Sequence, residues 1–384
     1  MIPYGRQDIN QQDIDAVIEV LQSDFLTQGP VVTQFENKVA EYCGAKFATA
    51  VNSGTSALHL ACLALEVGER DLVWTTPITF VASANCALYC GASIDFVDID
   101  PKTYNMSVEI LTEKLEIAAR IDKLPKVIIP VHFSGQSCDM ASIHSLSQKY
   151  GFKIIEDASH AIGGKYSGEP IGNCRYSDIT IFSFHPVKIV TTGEGGMALT
   201  NQVKLAKRMR LLSSHGVTRD VDDMTHPSDG PWYYQQIDLG FNYRMTDIHA
   251  ALGLSQMQRL DKFVQQRHAI ADQYSELLAN LPIVTPWQHS DCYSAYHLYV
   301  IRLELDNIDM TQLEIFTALH AKGIRINLHY IPVYMQPFYT RLGFKAGCCP
   351  EAEKYYAEAI SLPMFPTLTT TDMSYVSDSL RKLL

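Results

Sequence analysis

Short apolar runs alternate with helical patterns through the first two-thirds of the sequence. Strand-like runs are predicted at 47–51, 72–75, 94–97, 126–131, 153–156, 179–184 and 196–199, with helical stretches between most of them. Several of these runs are apolar almost throughout, as in strands that are buried on both faces of a sheet. The alternation therefore predicts an α/β fold with a mostly parallel central sheet flanked by helices.

Helical spacing opens the chain and returns after residue 245. The apolar residues of segment 14–21 follow Asn10, a suitable N-cap, at the spacing of an amphipathic helix. A long helix, broken or bent, is predicted over 246–278, then a strand over 298–303 and mostly helix beyond it. We therefore predict a large α/β domain over 1–245 and a smaller C-terminal α+β domain over 246–384. Segment 213–244 shows neither pattern, and loops of that length usually serve a site or a partner.

Charge and cysteine content limit the class of protein. A net charge of −11 argues against a protein that binds nucleic-acid backbones, which needs a basic face. Nine cysteines without a C-x-x-C pair indicate neither a disulfide framework nor a zinc ribbon. The chain shows no leader pattern and no apolar run of the roughly eighteen residues that a membrane span needs. We therefore expect a cytoplasmic protein with neither a nucleic-acid nor a membrane partner.

A turn of small polar residues follows the first predicted strand and precedes a helical pattern. Ser53, Gly54, Thr55 and Ser56 form this turn. Free N–H groups and the positive end of a helix dipole bind phosphate, and the hydroxyls of Thr55 and Ser56 add donors. An ordinary capped helix explains the same residues. Neither G-x-G-x-x-G nor a Walker pattern is present, which argues against a dinucleotide or ATP.

Two carboxylates and a histidine lie at the end of the strand predicted over 153–156. They are Glu156, Asp157 and His160. A carboxylate at the carboxyl end of a strand can pair with a buried cation, for which a pyridinium nitrogen is one candidate. A metal site and an aspartate that caps the next turn are the competing interpretations. Because no further pair of ligands lies nearby in the sequence, we predict no metal.

Lys188 lies between the strand predicted over 179–184 and a glycine-rich segment. Pro186 ends that strand, so the lysine falls in a loop at its carboxyl end, where α/β proteins place their chemistry. A surface lysine is the ordinary alternative. Pyridoxal phosphate needs a lysine amine, a phosphate cradle and an aspartate for its ring nitrogen. All three occur in this chain, in the order cradle, aspartate, lysine.

Several motifs carry a resemblance to a known family along nearly the whole chain. They are "LTQGPVVTQFE", "SGTSAL", "TPITFVASANCALYCGA", "EDASHAIGG", "SFHPVK" and "GFNYRMTDIHAALGLSQMQRLD". The chain resembles the fold-type I pyridoxal phosphate enzymes and, within them, the sugar-nucleotide aminotransferases of the DegT/DnrJ/EryC1/StrS family. The resemblance implies a transaminase with pyridoxal 5'-phosphate as cofactor and a homodimer with shared active sites.

The resemblance also implies roles for individual residues. Lys188 would be the catalytic lysine that carries the cofactor, Asp157 would pair with the ring nitrogen, and Phe80 would stack on the ring. The implied cofactor-binding residues are Thr55, Ser56, Phe80, Asp157, His160, Ser183, Lys188 and, from the neighbouring subunit, Asn242. The implied contacts to the sugar nucleotide or glutamate are Tyr4, Leu26, Thr27, Gly29, His185, Tyr243, Arg244, His329 and Tyr330. A core aromatic at position 80 and packing roles for the substrate group are the structural alternatives.

Three segments are most similar to the branch of the family that acts in pseudaminic acid biosynthesis. They are "SFHPVK", "DGPWYYQQIDLGFNYRMTDI" and "INLHYIPVYMQPFY". This similarity implies amination of C4 of UDP-2-acetamido-2,6-dideoxy-β-L-arabino-hex-4-ulose with L-glutamate as donor. A 4-aminotransferase for a D-series UDP sugar or a perosamine precursor stays open, as does a non-catalytic regulatory protein on the same fold. Lys188 argues against the related sugar 3-dehydratases, which carry a histidine there.

Overall fold

The computed structural model describes the whole chain, residues 1–384, as an assembly of thirteen α-helices and fifteen strands. The helices are α1 (Gln11–Leu21), α2 (Pro30–Cys43), α3 (Gly54–Ala64), α4 (Ala82–Tyr89), α5 (Val108–Arg120), α6 (Met140–Tyr150), α7 (Val203–Ser213), α8 (Asp247–Met257), α9 (Leu260–Leu277), α10 (Gln312–Ala321), α11 (Pro337–Arg341), α12 (Pro350–Glu358) and α13 (Thr370–Arg381). The strands are β1 (Phe47–Val51), β2 (Leu72–Thr75), β3 (Ser93–Phe96), β4 (Val127–Ile129), β5 (Lys153–Asp157), β6 (Lys165–Tyr166), β7 (Glu169–Pro170), β8 (Ile179–Ser183), β9 (Gly196–Thr200), β10 (Val217–Thr218), β11 (Gln235–Gln236), β12 (Ile283–Val284), β13 (Cys292–Tyr293), β14 (Tyr299–Leu303) and β15 (Ala359–Leu362).

Seven strands form the central sheet in the order β1-β9-β8-β5-β4-β2-β3. Strands β3, β2, β4, β5 and β8 pair in parallel, and β9 runs antiparallel to both β8 and β1. All seven strands predicted from the sequence are present, with bounds that differ by at most two residues. The predicted α/β fold with a mostly parallel sheet is confirmed.

Helices cover both faces of this sheet because successive side chains of a strand point to opposite faces. In β4, Val127 and Ile129 pack in one core with α3 and α4, whereas Ile128 packs in another with α5 and α6. In β8, Phe182 packs toward α2 and α8 while its neighbour Ile181 joins the core with α3. Apolar residues on both faces explain the continuous apolar runs in the sequence. No helix is both long and apolar enough to cross a membrane.

The first helix forms as predicted, and Val20 is buried, but three other apolar side chains of the helix do not enter the core. Asn10 accepts a hydrogen bond from the Asp13 amide at 3.1 Å, and the Asp13 carboxylate accepts one from the Asn10 amide at 3.0 Å. This reciprocal pair is the capping box that starts a helix. Ile14, Ile18 and Leu21 are 45%, 42% and 55% exposed, while Asp13 is buried. The helix α1 therefore leaves an apolar surface outside the chain's own core.

The long helix predicted over 246–278 is broken, as expected. Helix α8 begins after Thr246, whose hydroxyl accepts from the His249 amide, and ends at Met257, and α9 begins at Leu260. Helix α8 packs against α1 and α2, whereas Tyr274 of α9 reaches the C-terminal core. One helical segment thus joins the central sheet to the C-terminal part of the chain.

The C-terminal part contains its own antiparallel sheet, in the order β12-β14-β15, packed against α9, α10 and α13. Strand β14 matches the strand predicted over 298–303. Strand β15 was not predicted, because its four residues, Ala359–Leu362, are too few to show a period and directly follow α12. The short hairpin of β10 and β11 likewise lies inside the segment expected to be a loop. The division of the chain into domains at residue 245 stays a prediction.

A buried carboxylate joins α8 to the start of α2. The side chain of Asp247 is fully buried and accepts hydrogen bonds from the amides of Gly29 at 2.8 Å and Val31 at 2.9 Å. A Cβ at Gly29 would lie 2.6 Å from Cβ of Phe25, so only glycine allows this approach. The amides at the start of a helix have no partner within the helix, and Asp247 supplies one from a distant part of the chain.

Asp247→Ala is expected to lower the free energy of unfolding by about 2 kcal/mol, because it leaves two partly buried amides at the start of α2 without an acceptor. Urea denaturation followed by circular dichroism measures this change. Asp272→Ala on the exposed face of α9 is the control and is expected to change the midpoint very little. Equal midpoints for the two variants would contradict the role given to Asp247.

Candidate active site

A cavity of about 540 Å³ opens where β5 and β8 end and where α3 begins. The C-terminal segment 327–330 closes its opposite side. Crevices at the carboxyl ends of parallel strands are the usual ligand sites of α/β sheets. The cavity therefore lies where the sequence placed its candidate residues.

Lys188 projects into this cavity from the loop after β8. The loop is held closed at its base, because the Phe184 amide donates to the Gly195 carbonyl at 2.9 Å and the Thr192 amide to the Phe184 carbonyl at 3.0 Å. The Lys188 amide donates to the His185 carbonyl at 2.8 Å. Burial lowers the pKa of the Lys188 amine to about 8, against the opposing effect of Asp157. Lys188 is half-buried and lines a cavity, so it is not an ordinary surface lysine.

Asp157 ends β5 and is the one of the two adjacent carboxylates that lines the cavity. Its Oδ2 accepts a hydrogen bond from the Ser83 hydroxyl at 2.6 Å, and its Oδ1 accepts from the Ser159 amide at 3.1 Å. The bond from the Ser159 amide is the turn contact expected of an aspartate that caps the next turn. Asp157 makes this contact and also lines the cavity. Two donors hold the carboxylate in one orientation.

Glu156 points away from the cavity, since side chains alternate along a strand. Its carboxylate lies 2.7 Å from Nε2 of His132 and accepts hydrogen bonds from the hydroxyls of Ser177 and Thr180. Burial raises the pKa of Glu156, but His132 and the two hydroxyls outweigh it, and the net pKa is lowered. Glu156 thus has a structural role, with its hydrogen bonds satisfied on the other face of the sheet.

The start of α3 lies directly against the end of β8. Ser53 is the N-cap, and its hydroxyl accepts from the Ser56 amide at 3.1 Å. A Cβ at Gly54 would lie 2.9 Å from Cβ of Ser183, so glycine permits the helix to start beside that serine. The amides of Gly54 and Thr55 have no acceptor within the chain. These free amides at a helix N-terminus, together with the hydroxyls of Thr55 and Ser183 that line the cavity, form a site for an anion.

Three histidines surround Lys188 and are uncharged at neutral pH. Burial, and then the positive charge of Lys188, lower the pKa of His329 to about 3 and that of His160 well below its usual value. Nδ1 of His160 accepts from the Ser134 amide at 3.3 Å, so the ring proton lies on Nε2, which donates to the Tyr330 hydroxyl at 3.2 Å. His297 lies 4.4 Å from His160, ring centre to ring centre.

Phe80 presents an open aromatic face at the cavity. It is 59% exposed although it lines a concave site, and its ring centre lies 6.3 Å from that of Tyr330. The alternative of a core aromatic is therefore wrong. An exposed aromatic face inside a crevice is suited to stacking against a flat ring.

The structure brings ten of the predicted residues together at this cavity. They are Tyr4, Thr55, Phe80, Asp157, His160, Ser183, His185, Lys188, His329 and Tyr330. The other predicted residues, Ser56, Leu26, Thr27, Gly29, Asn242, Tyr243 and Arg244, do not line it. The Ser56 hydroxyl donates to Asn52 at 2.7 Å, and Gly29 and Arg244 line a separate cavity of about 240 Å³. The individual roles of all these residues stay predictions.

Sequence reasoning missed several residues of the cavity. Thr79 lies in the turn before α4, four residues before Ser83, and the two hydroxyls share a 2.8 Å hydrogen bond; Ser83 in turn reaches Asp157. Their four-residue spacing was visible in the sequence, but only the hydrogen bond from Ser83 to Asp157 shows what this pair of hydroxyls contacts. His297 and Asn327 come from the C-terminal part and carried no signal in the sequence.

The residues of the cavity fit pyridoxal phosphate. The cofactor needs an amine, a carboxylate for its ring nitrogen, an anion site for its phosphate and an aromatic wall. Lys188, Asp157, the free amides of α3 and Phe80 supply these four features around one cavity.

Comparisons with known proteins agree with this geometry. The DegT/DnrJ/EryC1/StrS aminotransferase family model matches residues 7–381. The spore coat polysaccharide biosynthesis protein SpsC of Bacillus subtilis is 38% identical, over 100% of this chain and 97% of that protein. The UDP-4-amino-4,6-dideoxy-N-acetyl-beta-L-altrosamine transaminase of Campylobacter jejuni is 36% identical, over 100% and 98%. The solved structure of Helicobacter pylori PseC, an aminotransferase involved in the biosynthesis of pseudoaminic acid, has a TM-score of 0.90 and 31% identity, over 100% and 98%.

Lys188 is expected to react with aldehydes at lower pH than ordinary lysines. Only the neutral amine attacks a carbonyl, so covalent labelling by pyridoxal phosphate and borohydride should reach half its maximal rate near pH 8. Ordinary lysine amines become half neutral only at about pH 10.4. Peptide mass spectrometry of protein stripped of cofactor measures the rate at each pH, with exposed Lys204 as the reference site. Identical pH profiles at the two lysines would refute the lowered pKa.

Proposed function

The chain belongs to the DegT/DnrJ/EryC1/StrS aminotransferase family, and on that premise we propose that it aminates C4 of a UDP-linked 4-keto-6-deoxy-N-acetylhexosamine with L-glutamate as donor. It is a sugar-nucleotide aminotransferase, and its cofactor is pyridoxal phosphate. The proposal concerns the sugar, the donor and the shared site. The observation that carries the amination is Lys188, an amine of lowered pKa, in the same cavity as the buried carboxylate of Asp157.

Pyridoxal phosphate, when bound, supplies a carbonyl that takes up the amino group and a ring that withdraws electrons from the adjacent carbon. Asp157 would hold a proton on the ring nitrogen, with its carboxylate fixed by Ser83 and the Ser159 amide. Lys188 would accept a proton at Nζ and return it to the neighbouring carbon, because an amine of pKa about 8 exists in both forms near neutral pH.

The remaining residues of the cavity would bind the cofactor and keep water away from its ring. The free amides of Gly54 and Thr55 would hold the phosphate at the start of α3. Phe80 would cover one face of the ring and keep water from it. His160, neutral and fixed by the Ser134 amide, would present its Nε2 proton toward Tyr330 and the ring hydroxyl.

The sugar is proposed from the relatives. The Campylobacter protein is named for an altrosamine product aminated at C4, and the Helicobacter protein is described as acting in pseudoaminic acid biosynthesis. Both match this chain over its full length. We therefore propose UDP-2-acetamido-2,6-dideoxy-β-L-arabino-hex-4-ulose as the acceptor, the sugar to which the sequence resemblance also points.

A homodimer is proposed because predicted residues and apolar surface lie outside the chain's own cavity. Asn242 is exposed and does not line that cavity. Nearby in the sequence, Trp232 and Leu239 are 72% and 76% exposed, and Ile14, Ile18 and Leu21 of α1 are also uncovered. Exposed apolar area of this kind is typical of a protein interface. In the proposed dimer, Asn242 contacts the phosphate of the cofactor in the other subunit.

The purified holoenzyme is expected to respond to glutamate and to one sugar only. L-glutamate should bleach the visible absorbance of the bound cofactor, and the L-arabino 4-keto sugar, but not its D-xylo isomer, should restore it. Lys188→Ala is the control and should show neither change. Restoration by the D-xylo isomer would overturn the proposed sugar while leaving the amination in place. Absence of bleaching would overturn glutamate as the donor.

Shared sites predict complementation between two inactive variants. Lys188→Ala lacks the amine, and Asn242→Ala lacks the proposed phosphate contact, so each homodimer should lose most of its turnover. A co-expressed, doubly tagged heterodimer contains one site with both residues and one with neither, and should recover about half of wild-type turnover. Turnover no higher than that of the better single variant would contradict a site shared between subunits.

A further inference from the structure

Three neutral histidines line the active-site cavity, and two of them have both ring nitrogens in hydrogen bonds. In His160 both nitrogens are bonded. In His329, Nδ1 lies 2.8 Å from the Ser361 hydroxyl, and Nε2 lies 3.4 Å from the side-chain nitrogen of Asn327. The third histidine, His297, is only 4% exposed, yet its Nδ1 has no hydrogen-bond partner and no residue bonds to its Nε2. A buried imidazole without partners is therefore available to a ligand.

The chemistry of the ring places the single proton of His297 on Nε2. Burial, and then repulsion from His160 and Lys188, lower the pKa of His297 well below its usual value, so the ring carries one N–H. Nδ1 is buried with no acceptor beside it, and a buried N–H without an acceptor is rarer than a buried acceptor without a donor. Because His297 lines the cavity, its Nε2–H is a free donor for a bound molecule.

A buried cation lies behind His297. The guanidinium of Arg267 is 1% exposed, and its Nη1 donates to the carbonyls of Tyr296 at 3.1 Å and of His297 and Met364 at 3.2 Å. No carboxylate pairs with it, and burial lowers the pKa of Arg267 to about 10. A buried charge without a counter-ion is costly, and this charge also acts on the His297 ring, whose pKa it lowers. This wall of the cavity therefore favours an anion.

The depth of His297 decides which anion fits this wall. The cofactor phosphate already has a proposed site at the free amides of α3. A nucleotide diphosphate carries a sugar on either side and needs an open groove, which a side chain that is 4% exposed does not offer. The α-carboxylate of an amino acid is small and is attached to the carbon that loses its proton to Lys188. Lys188 and His297 line the same cavity, so a carboxylate can reach the imidazole while that carbon lies beside the amine.

We propose that His297 binds the α-carboxylate of the amino donor by donating from Nε2, with Arg267 as a positioning residue behind it. Arg267 holds the backbone carbonyl of His297 and supplies a positive charge that the carboxylate offsets. This role rests on the proposed function, in which an α-amino acid is the donor, but not on which sugar is aminated.

The test is the bleaching of the holoenzyme by L-glutamate without any sugar, with the rate measured against glutamate concentration. His297→Leu has a similar volume but no N–H, and should raise the half-saturating concentration about tenfold or more with little change in the maximal rate. His297→Gln retains a donor and should recover most of the affinity. Arg267→Gln removes the charge and should raise the same concentration by less. His289→Leu, at an exposed histidine outside the cavity, is the control and should match the wild type.

The dissociation constant of pyridoxal phosphate, measured by equilibrium dialysis, should be the same in His297→Leu and the wild type. A changed cofactor affinity with an unchanged glutamate concentration would make His297 a cofactor contact and overturn the proposal, as would a loss confined to the maximal rate. If His297→Leu does not fold, His297→Gln is compared with His297→Asn, whose shorter amide does not reach the place of Nε2, and equal glutamate concentrations overturn the proposal. A wild-type holoenzyme that glutamate does not bleach refutes glutamate as donor, and the amino acid that does bleach it then decides the role of His297 with the same variants.

Discussion

Parallel pairing of β5 and β8 is the constraint on which the site depends. Asp157, the last residue of β5, pairs in register with Ile181 of β8, so both strands end at the same edge of the sheet. Ser183 ends β8, and the loop that follows carries Lys188 back over that edge. An aspartate and a lysine that are 31 positions apart in the sequence therefore face one cavity. A shift of one residue in this register would turn Asp157 to the opposite face, where Glu156 now lies.

Close backbone approaches bring the anion site to the same edge. Helix α3 follows β1, which is separated from β8 by the antiparallel β9. A Cβ at Gly196 would lie 2.3 Å from the Ser53 carbonyl oxygen, and one at Gly54 would meet Ser183. Glycine at both positions lets the start of α3 sit against the strand ends, and its free amides then face the cavity with Lys188. Without these approaches the helix would begin too far from the lysine to share a ligand with it.

The electrostatics of the cavity leave few titrating groups. Burial, together with the positive charge of Lys188, keeps His160, His297 and His329 neutral, so they act as hydrogen-bonding groups. Lys188 is itself shifted toward neutrality by burial, while Asp157 opposes that shift. Proton transfer near neutral pH is thereby concentrated on one amine beside one fixed carboxylate. The second acidic side chain, Glu156, is satisfied by His132 and takes no part.

Local patterns in the sequence were enough to place seven strands, to indicate a break or bend in the helix over 246–278, and to give the order of cradle, aspartate and lysine, because these depend on burial periodicity and on residue chemistry. These patterns did not predict strand β15, the place of His297 in the cavity, or the hydrogen bonds that connect Thr79 and Ser83 to Asp157. Those features depend on which distant segments pack together. Periodicity also showed that α1 is amphipathic without showing that Ile14, Ile18 and Leu21 stay exposed. The sequence by itself determined most of the elements of the central sheet and the chemistry available at their ends. Only the tertiary structure decided which ends share a cavity, because hydrogen-bond register and close backbone contacts exist only between segments far apart in the chain.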